Sequence, residues 1–90
     1  MCELRDVFIV GAARTAIGNF LGALKDLSAP ELGGFAIKEA LKRAGLQGKD
    51  VEEVIMGNVV SGGIGQAPAK QAAVKGGIPY SVSCFAVNKV

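Results

Sequence analysis

The sequence predicts an α/β fold: the βαβαβ parallel-sheet portion of a larger unit, incomplete without a complementary chain. Three observations predict it. Apolar runs rich in β-branched residues, at 7–10, 54–60 and 82–90, have the composition of strands buried on both faces. Between them lie two stretches with helix signals, an amphipathic one over 28–44 and a shorter one over 66–75. Strands alternating with helices imply a parallel sheet, and right-handed crossovers running in one direction put both helices on the same face. The other face is then bare, and because a parallel sheet has both faces covered, something outside these residues is expected to cover it.

Taken in order, Val7, Phe8, Ile9 and Val10 form a continuous apolar run and the first strand. Residues 11–26 make a long connection containing Gly18 and Gly22. The best-marked element follows. Ser28 is an N-cap, Pro30 stands in the first turn, and Glu31 lies three residues after the cap to complete a capping box; the helix runs to about Ala44 and stops at Gly45. Ile37, Ala40, Leu41 and Ala44 line one face, with Lys38, Glu39 and Lys42 opposite. Residues 50–53 form a short polar turn, and 54–60 the second strand, in which Gly57 allows close approach of another backbone. The loop Ser61-Gly62-Gly63-Ile64-Gly65 leads to Gln66-Ala67-Pro68, which opens the second helix; Pro68 suits its first turn and Gly76-Gly77 ends it. The third strand, over 82–90, follows Gly76-Gly77-Ile78-Pro79, and its carboxyl end is where an open α/β sheet does its chemistry. With no repeat, low-complexity tract or linker, residues 1–90 are one structural unit.

Composition bounds the function. A chain of 90 residues hides only about 60–65% of the surface its unfolded form exposes. With 50% apolar and 20% charged residues and a mean hydropathy of +0.38, it carries more apolar surface than so small a unit buries, so a partner is expected. The net charge of +2 comes from scattered residues, with Lys38, Lys42 and Arg43 interleaved with Glu39, which is a solvated helix face. No aromatic residues interleave with the basic ones to stack on bases, so no nucleic-acid partner is expected. No apolar run is long enough to span a bilayer, and acidic residues in Met1-Cys2-Glu3-Leu4-Arg5-Asp6 argue against a signal or transit peptide. Cys2 and Cys84 make neither a disulfide framework nor a metal site, and a reducing cytoplasm is the default.

The chain has no histidine, so a Cys-His or Ser-His pair cannot be assembled within it and such chemistry must borrow residues from elsewhere. Gly11-Ala12-Ala13-Arg14-Thr15-Ala16-Ile17-Gly18 follows a strand but lacks GxGxxG spacing, and the helix begins too late for dinucleotide binding. Arg14 and Thr15 are read as hydrogen-bond donors that stabilise their own loop. Gly62-Gly63-Ile64-Gly65 precedes a helix N-terminus, where backbone N–H groups could bind an anion; a flexible strand-to-helix turn is the plainer reading, and the Lys and Ser/Thr of a Walker A loop are missing. Cys84 is mid-strand and read as a small buried hydrophobe. Gln66 and Asn88 are the polar residues to watch, one in the loop after a strand and one at a strand's carboxyl side.

The motifs Val10-Gly11-Ala12-Ala13-Arg14-Thr15-Ala16-Ile17-Gly18-Asn19-Phe20, Ala29-Pro30-Glu31-Leu32-Gly33, Glu53-Val54-Ile55-Met56-Gly57-Asn58-Val59 and Gly65-Gln66-Ala67-Pro68-Ala69-Lys70-Gln71-Ala72-Ala73 occur in the order found in thiolases. Over all 90 residues the chain resembles the amino-terminal part of a bacterial thiolase of the acetyl-CoA acetyltransferase branch. Ala67 and Lys70 depart from the Asn and Arg common in that family. The loop around Gln66 looks less like that of ketoacyl synthases or hydroxymethylglutaryl-CoA synthases, which share the fold.

The resemblance implies a five-layered α/β fold of two similar halves, with this chain covering the first three strands of the first half. It implies condensation of two acetyl-CoA to acetoacetyl-CoA and CoA. A first cysteine takes the acetyl group, a second removes a proton from another acetyl-CoA, and oxyanion holes stabilise the enolate and the tetrahedral centre. CoA thioesters are the substrates, and no metal or redox cofactor is needed. In the family the third strand ends in Asn-x-x-Cys; here Asn88-Lys89-Val90 puts the nucleophile immediately after Val90, so this chain holds no catalytic residue and Gln66 and Asn88 are active-site support. The partners implied are a complementary thiolase chain and further copies in a dimer or tetramer. One expectation is a thiolase cut after Val90, whose second chain begins with the nucleophilic cysteine; proteolysis or deliberate truncation would give the same end. The alternative reading is a non-catalytic thiolase-like or CoA-binding module.

Overall fold

A computed structural model describes residues 4–89. Its elements are helix α1 (Ala29–Ala44), a 3₁₀ turn (Gly48–Asp50), strand β1 (Glu53–Gly57), helix α2 (Pro68–Lys75) and strand β2 (Ser83–Val87). The two strands pair in parallel, with Val54 opposite Cys84 and Met56 opposite Ala86. Val90, where the expected cut and the nucleophile's place are anchored, and Cys2 lie outside the described residues.

Local sequence accounts for α1. The Ser28 hydroxyl accepts from the Glu31 N–H and the Glu31 carboxylate accepts from the Ser28 N–H, at 3.3 and 3.1 Å, which satisfies two donors the first turn leaves open. At the other end Gly45 turns left-handed, with φ +71°, and the Gly45 and Leu46 N–H groups return to the carbonyls of Lys42 and Leu41. This is a Schellman stop, and glycine adopts it without a Cβ penalty. Ile37 and Leu41 then face the core as their spacing predicts, while Lys38 and Lys42 are exposed.

Both helices lie on one side of the sheet. Val54, Ala73, Ile78 and Val82 form the buried cluster, and Ile37, Leu41, Val51, Met56 and Cys84 pack around it. The period-2 alternation of the strands puts Val54, Met56, Cys84 and Ala86 on that side and sends Ile55, Phe85 and Val87 to the other. Ile55 is 56% and Phe85 42% exposed, so the second sheet face is bare of cover among the described residues, as expected. The helices meet through small residues. A Cβ added at Gly34 would lie 2.7 Å from the Lys75 Cβ, and one added at Gly76 would lie 2.7 Å from the Ile37 Cγ2.

Several expectations need correction. Residues 7–10 form no strand; Phe8 and Ile9 are 77% and 92% exposed, and the described sheet has two strands. A strand exists only by hydrogen bonds to a neighbouring strand, and residues 7–10 are not paired with the edge of β1 or β2. The chain instead runs beside α1, where Gly11 sits against Ala40 and Ala44 and the Arg43 guanidinium donates to the Ala12 carbonyl at 3.0 Å. The second strand ends at Gly57, short of Val60, and the third spans Ser83–Val87. Gly57 admits no close backbone, since a Cβ there would meet nothing within 4 Å. The polar turn begins earlier than predicted, as the Gly48–Asp50 3₁₀ turn, with the Asp50 carboxylate accepting from the Gln47 N–H at 2.9 Å.

Candidate functional site

The loop over 58–67 leads from the carboxyl end of β1 to α2, carries no regular structure and lies beside the carboxyl end of β2. In a parallel sheet this is the edge where ligands bind. The loop is fastened chiefly by carboxamides. The Asn58 N–H donates to the Val87 carbonyl at 3.0 Å, continuing the strand pairing one step past β1. The Asn58 Nδ2 donates to the Ser61 Oγ at 3.1 Å, and the Asn88 Nδ2 donates to the Val59 carbonyl at 3.1 Å. At the far end of the loop the Gln71 Nε2 donates to the carbonyls of Ile64 and Gln66, at 2.9 and 2.8 Å.

The backbone between these ties is bent by special residues. Gly63 and Gly65 have φ of +76° and +83°, and Ala67 has φ +50°. A residue with a Cβ in the left-handed region costs roughly 1–2 kcal/mol, so Ala67 is held there by its surroundings. Pro68 occupies the first turn of α2, where a missing N–H is tolerated. The glycines thus serve the strand-to-helix turn. From Gly57 to Ala69 no side chain is ionisable, so the loop neither supplies nor takes a proton. Beneath it lies a small apolar pocket of about 40 Å³, lined among others by Pro30, Met56, Asn58, Pro68, Ala72 and Ala86. A wider groove of about 430 Å³ beside α1, bordered by Arg14, Lys38 and Lys42, touches none of the loop residues.

The structure places both predicted support residues on this loop assembly, at opposite ends. Asn88 is exposed just past β2 and holds Val59; Gln66 is exposed at the α2 end, where its carbonyl accepts from the Gln71 carboxamide. Arg14 and Thr15 donate to the carbonyls of Thr15 and Ala16, within their own loop as read. Cys84 is half-buried against the core, its thiol 3.4 Å from the Val82 carbonyl. Residue-by-residue reading passed over Asn58 and Gln71. Their only sequence signal is a carboxamide directly after a strand and another four residues into a helix that follows a glycine loop.

Lys70 was also missed as a structural tie. Its ammonium donates to the Tyr80 carbonyl at 2.8 Å and to the Val82 carbonyl, fastening α2 to the entrance of β2. Charge-assisted hydrogen bonds of this kind contribute about 1.5–3 kcal/mol. In the complete protein carrying this segment, Lys70→Met is expected to lower unfolding free energy by about 2 kcal/mol. Lys70→Arg keeps the donors and should cost little. A denaturant midpoint unmoved by Lys70→Met would show that these carbonyls find other partners.

Comparison with known proteins places this geometry. A family profile described as thiolase, N-terminal domain, matches residues 7–90. The chain is 58% identical over 86 residues to acetyl-CoA acetyltransferase 1 of Arabidopsis thaliana and 54% identical over 87 residues to the acetyl-CoA acetyltransferase of Cupriavidus necator. Those matches cover 96% and 97% of this chain but only 21% and 22% of the relatives, so the chain spans about a fifth of their length. Among solved structures, the Acat5 thiolase of Ascaris suum in complex with coenzyme A superposes with a TM-score of 0.92 at 45% identity, over 96% of this chain and 22% of that one. The resemblance read from the sequence is thereby borne out, and the chain belongs to the thiolase family, as a stretch of its N-terminal domain.

Proposed function

We propose that these residues form the wall beside the nucleophile in an acyltransferase that condenses two acetyl-CoA to acetoacetyl-CoA and CoA, reversibly, through a cysteine acyl-enzyme. The observation that carries this is the identity of more than half the residues, across nearly the whole chain, with relatives named acetyl-CoA acetyltransferase. The nucleophile and the second cysteine belong to thiolase residues beyond Val90, in the same polypeptide or a complementary one, and the assembly is a dimer or tetramer. CoA thioesters are the only small molecules the reaction needs. Relatives carry cytosolic and mitochondrial names, and no helix among the described residues is long and apolar enough to cross a membrane; the cytoplasm is our reading for this chain.

The part these residues play is positional. β2 directs the chain toward the nucleophile, and the carboxamide-tied loop holds Gln66 and Asn88 at the same edge. Because the loop has no ionisable group, it can orient a thioester or a turn by neutral hydrogen bonds without altering the site's protonation. In the complete enzyme, Gln66→Ala should therefore lower turnover by on the order of ten- to a hundredfold. The shape of the pH-rate profile should be unchanged. Turnover is read as thiolysis of acetoacetyl-CoA by CoA, and mass analysis of the acetylated cysteine reads the first half-reaction on its own. Wild-type rates in Gln66→Ala would assign that side chain a purely structural place. A complete protein that binds CoA but forms no acetyl-cysteine would overturn the enzymatic reading in favour of a CoA-binding module.

A further inference from the structure

Every N–H of Gln71 is spent on the loop. Its backbone N–H donates to the Ala67 carbonyl at 3.1 Å, and its carboxamide donates to the carbonyls of Ile64 and Gln66. A single half-buried residue in α2 thus engages three carbonyls in the four residues 64–67. That stretch is the one least able to hold itself. It follows Gly62 and Gly63, contains Gly65 at φ +83° and ends in Ala67 at φ +50°. Glycine-rich backbone loses more conformational entropy on ordering than any other, and the left-handed alanine is unfavourable by itself. The carboxamide also approaches closely, since a Cβ at Gly65 would stand 3.1 Å from its Nε2, so a larger residue at Gly65 would displace the clamp.

We propose that Gln71 is a positioning residue: its carboxamide, clamped on the carbonyls of Ile64 and Gln66, sets the orientation from which the Gln66 side chain acts on the nucleophile's surroundings. This rests on the acyltransferase reading and on Gln66 as a support residue. The consequence is energetic coupling. If Gln71 works through Gln66, removing the clamp matters only while the Gln66 side chain is there to be misplaced.

The test is a double-mutant cycle in the complete enzyme, with acetoacetyl-CoA and CoA as substrates. Gln71→Met keeps the volume and removes both side-chain donors. It should lower kcat about tenfold with KM nearly unchanged, because orientation and not substrate affinity is lost. Gln66→Ala/Gln71→Met should be no slower than Gln66→Ala alone. Multiplied losses in the double variant would overturn the proposal, as would wild-type kcat in Gln71→Met. Gln71→Glu, of the same shape but with a carboxylate that cannot donate, repeats the test if the methionine variant does not fold. A complete enzyme without thiolase activity would fail the acyltransferase reading itself, whereas an active enzyme with normal Gln66→Ala kinetics and slow Gln71→Met would overturn only the route through Gln66.

Discussion

Produced on its own, the 90-residue chain should give an aggregated or loosely packed species, with broad uncooperative unfolding and weak amide-exchange protection. Among the described residues the buried hydrophobic ones are Val54, Ala69, Ala72, Ala73, Ile78 and Val82, three of them alanines that contribute little apolar area. The accessible surface is 7212 Å², against about 4,900 Å² expected from the scaling for a folded monomer of 9.2 kDa. Val7, Phe8 and Ile9 are exposed, and Ile55, Phe85 and Val87 share the open sheet face, where apolar exposure drives association. Supplying the rest of a thiolase should restore a soluble, protected fold. A sharp, concentration-independent unfolding transition of the monomer would refute this expectation and would favour a self-sufficient module.

Gly48→Ala in the complete protein should be the most damaging of the small substitutions, at about 3 kcal/mol by the usual cost of overpacking, read as a drop in the thermal midpoint. Gly48 opens the 3₁₀ turn and lies against the turn between α2 and β2. A Cβ there would collide with the Gly77 carbonyl oxygen and fall 3.0 Å from its carbon and 3.2 Å from the Ile78 Cα. All three are backbone atoms, so no side-chain rotamer can relieve the clash. Gly77 itself has φ +92°, and Ile78 is one of the four residues of the buried cluster, so the segment that would have to move is anchored in the core. An unchanged midpoint in Gly48→Ala would mean that the 3₁₀ turn shifts away freely. Gly45→Ala, by contrast, meets open space and pays only for its left-handed φ.

The candidate site was half legible. Gln66 and Asn88 stand out in sequence because each is a polar side chain beside an apolar or glycine run at the carboxyl side of a strand. What each one touches was not legible. Asn88 reaches Val59 across 29 residues of chain, and Gln66 is engaged through its carbonyl, which every residue possesses. The clamp residue Gln71 and the tie residue Lys70 read as ordinary helix positions, since their partners, Ile64, Gln66, Tyr80 and Val82, are backbone carbonyls with no sequence signature. The tight fit of Gly48 against Gly77 was equally invisible, because a glycine needed for lack of space looks like a glycine needed for a turn.

What the sequence by itself determined are the features whose physics closes within a few residues. Ser28 and Glu31 cap each other across three positions, Gly45 stops α1, Pro68 starts α2 and Gly76 ends it, and each boundary falls where its residue type places it. The alternation along β1 and β2 likewise set which residues turn to the helices and left Ile55 and Phe85 on the open face. The tertiary structure alone decided the fate of residues 7–10, the early end of β1 at Gly57 and the hold on the 58–67 loop. The reason is that a strand exists only by hydrogen bonds to another strand and a loop conformation only by bonds to whatever lies across from it. Val7, Phe8, Ile9 and Val10 have the right composition, but composition cannot supply the paired edge and the second covering layer that would make them a strand.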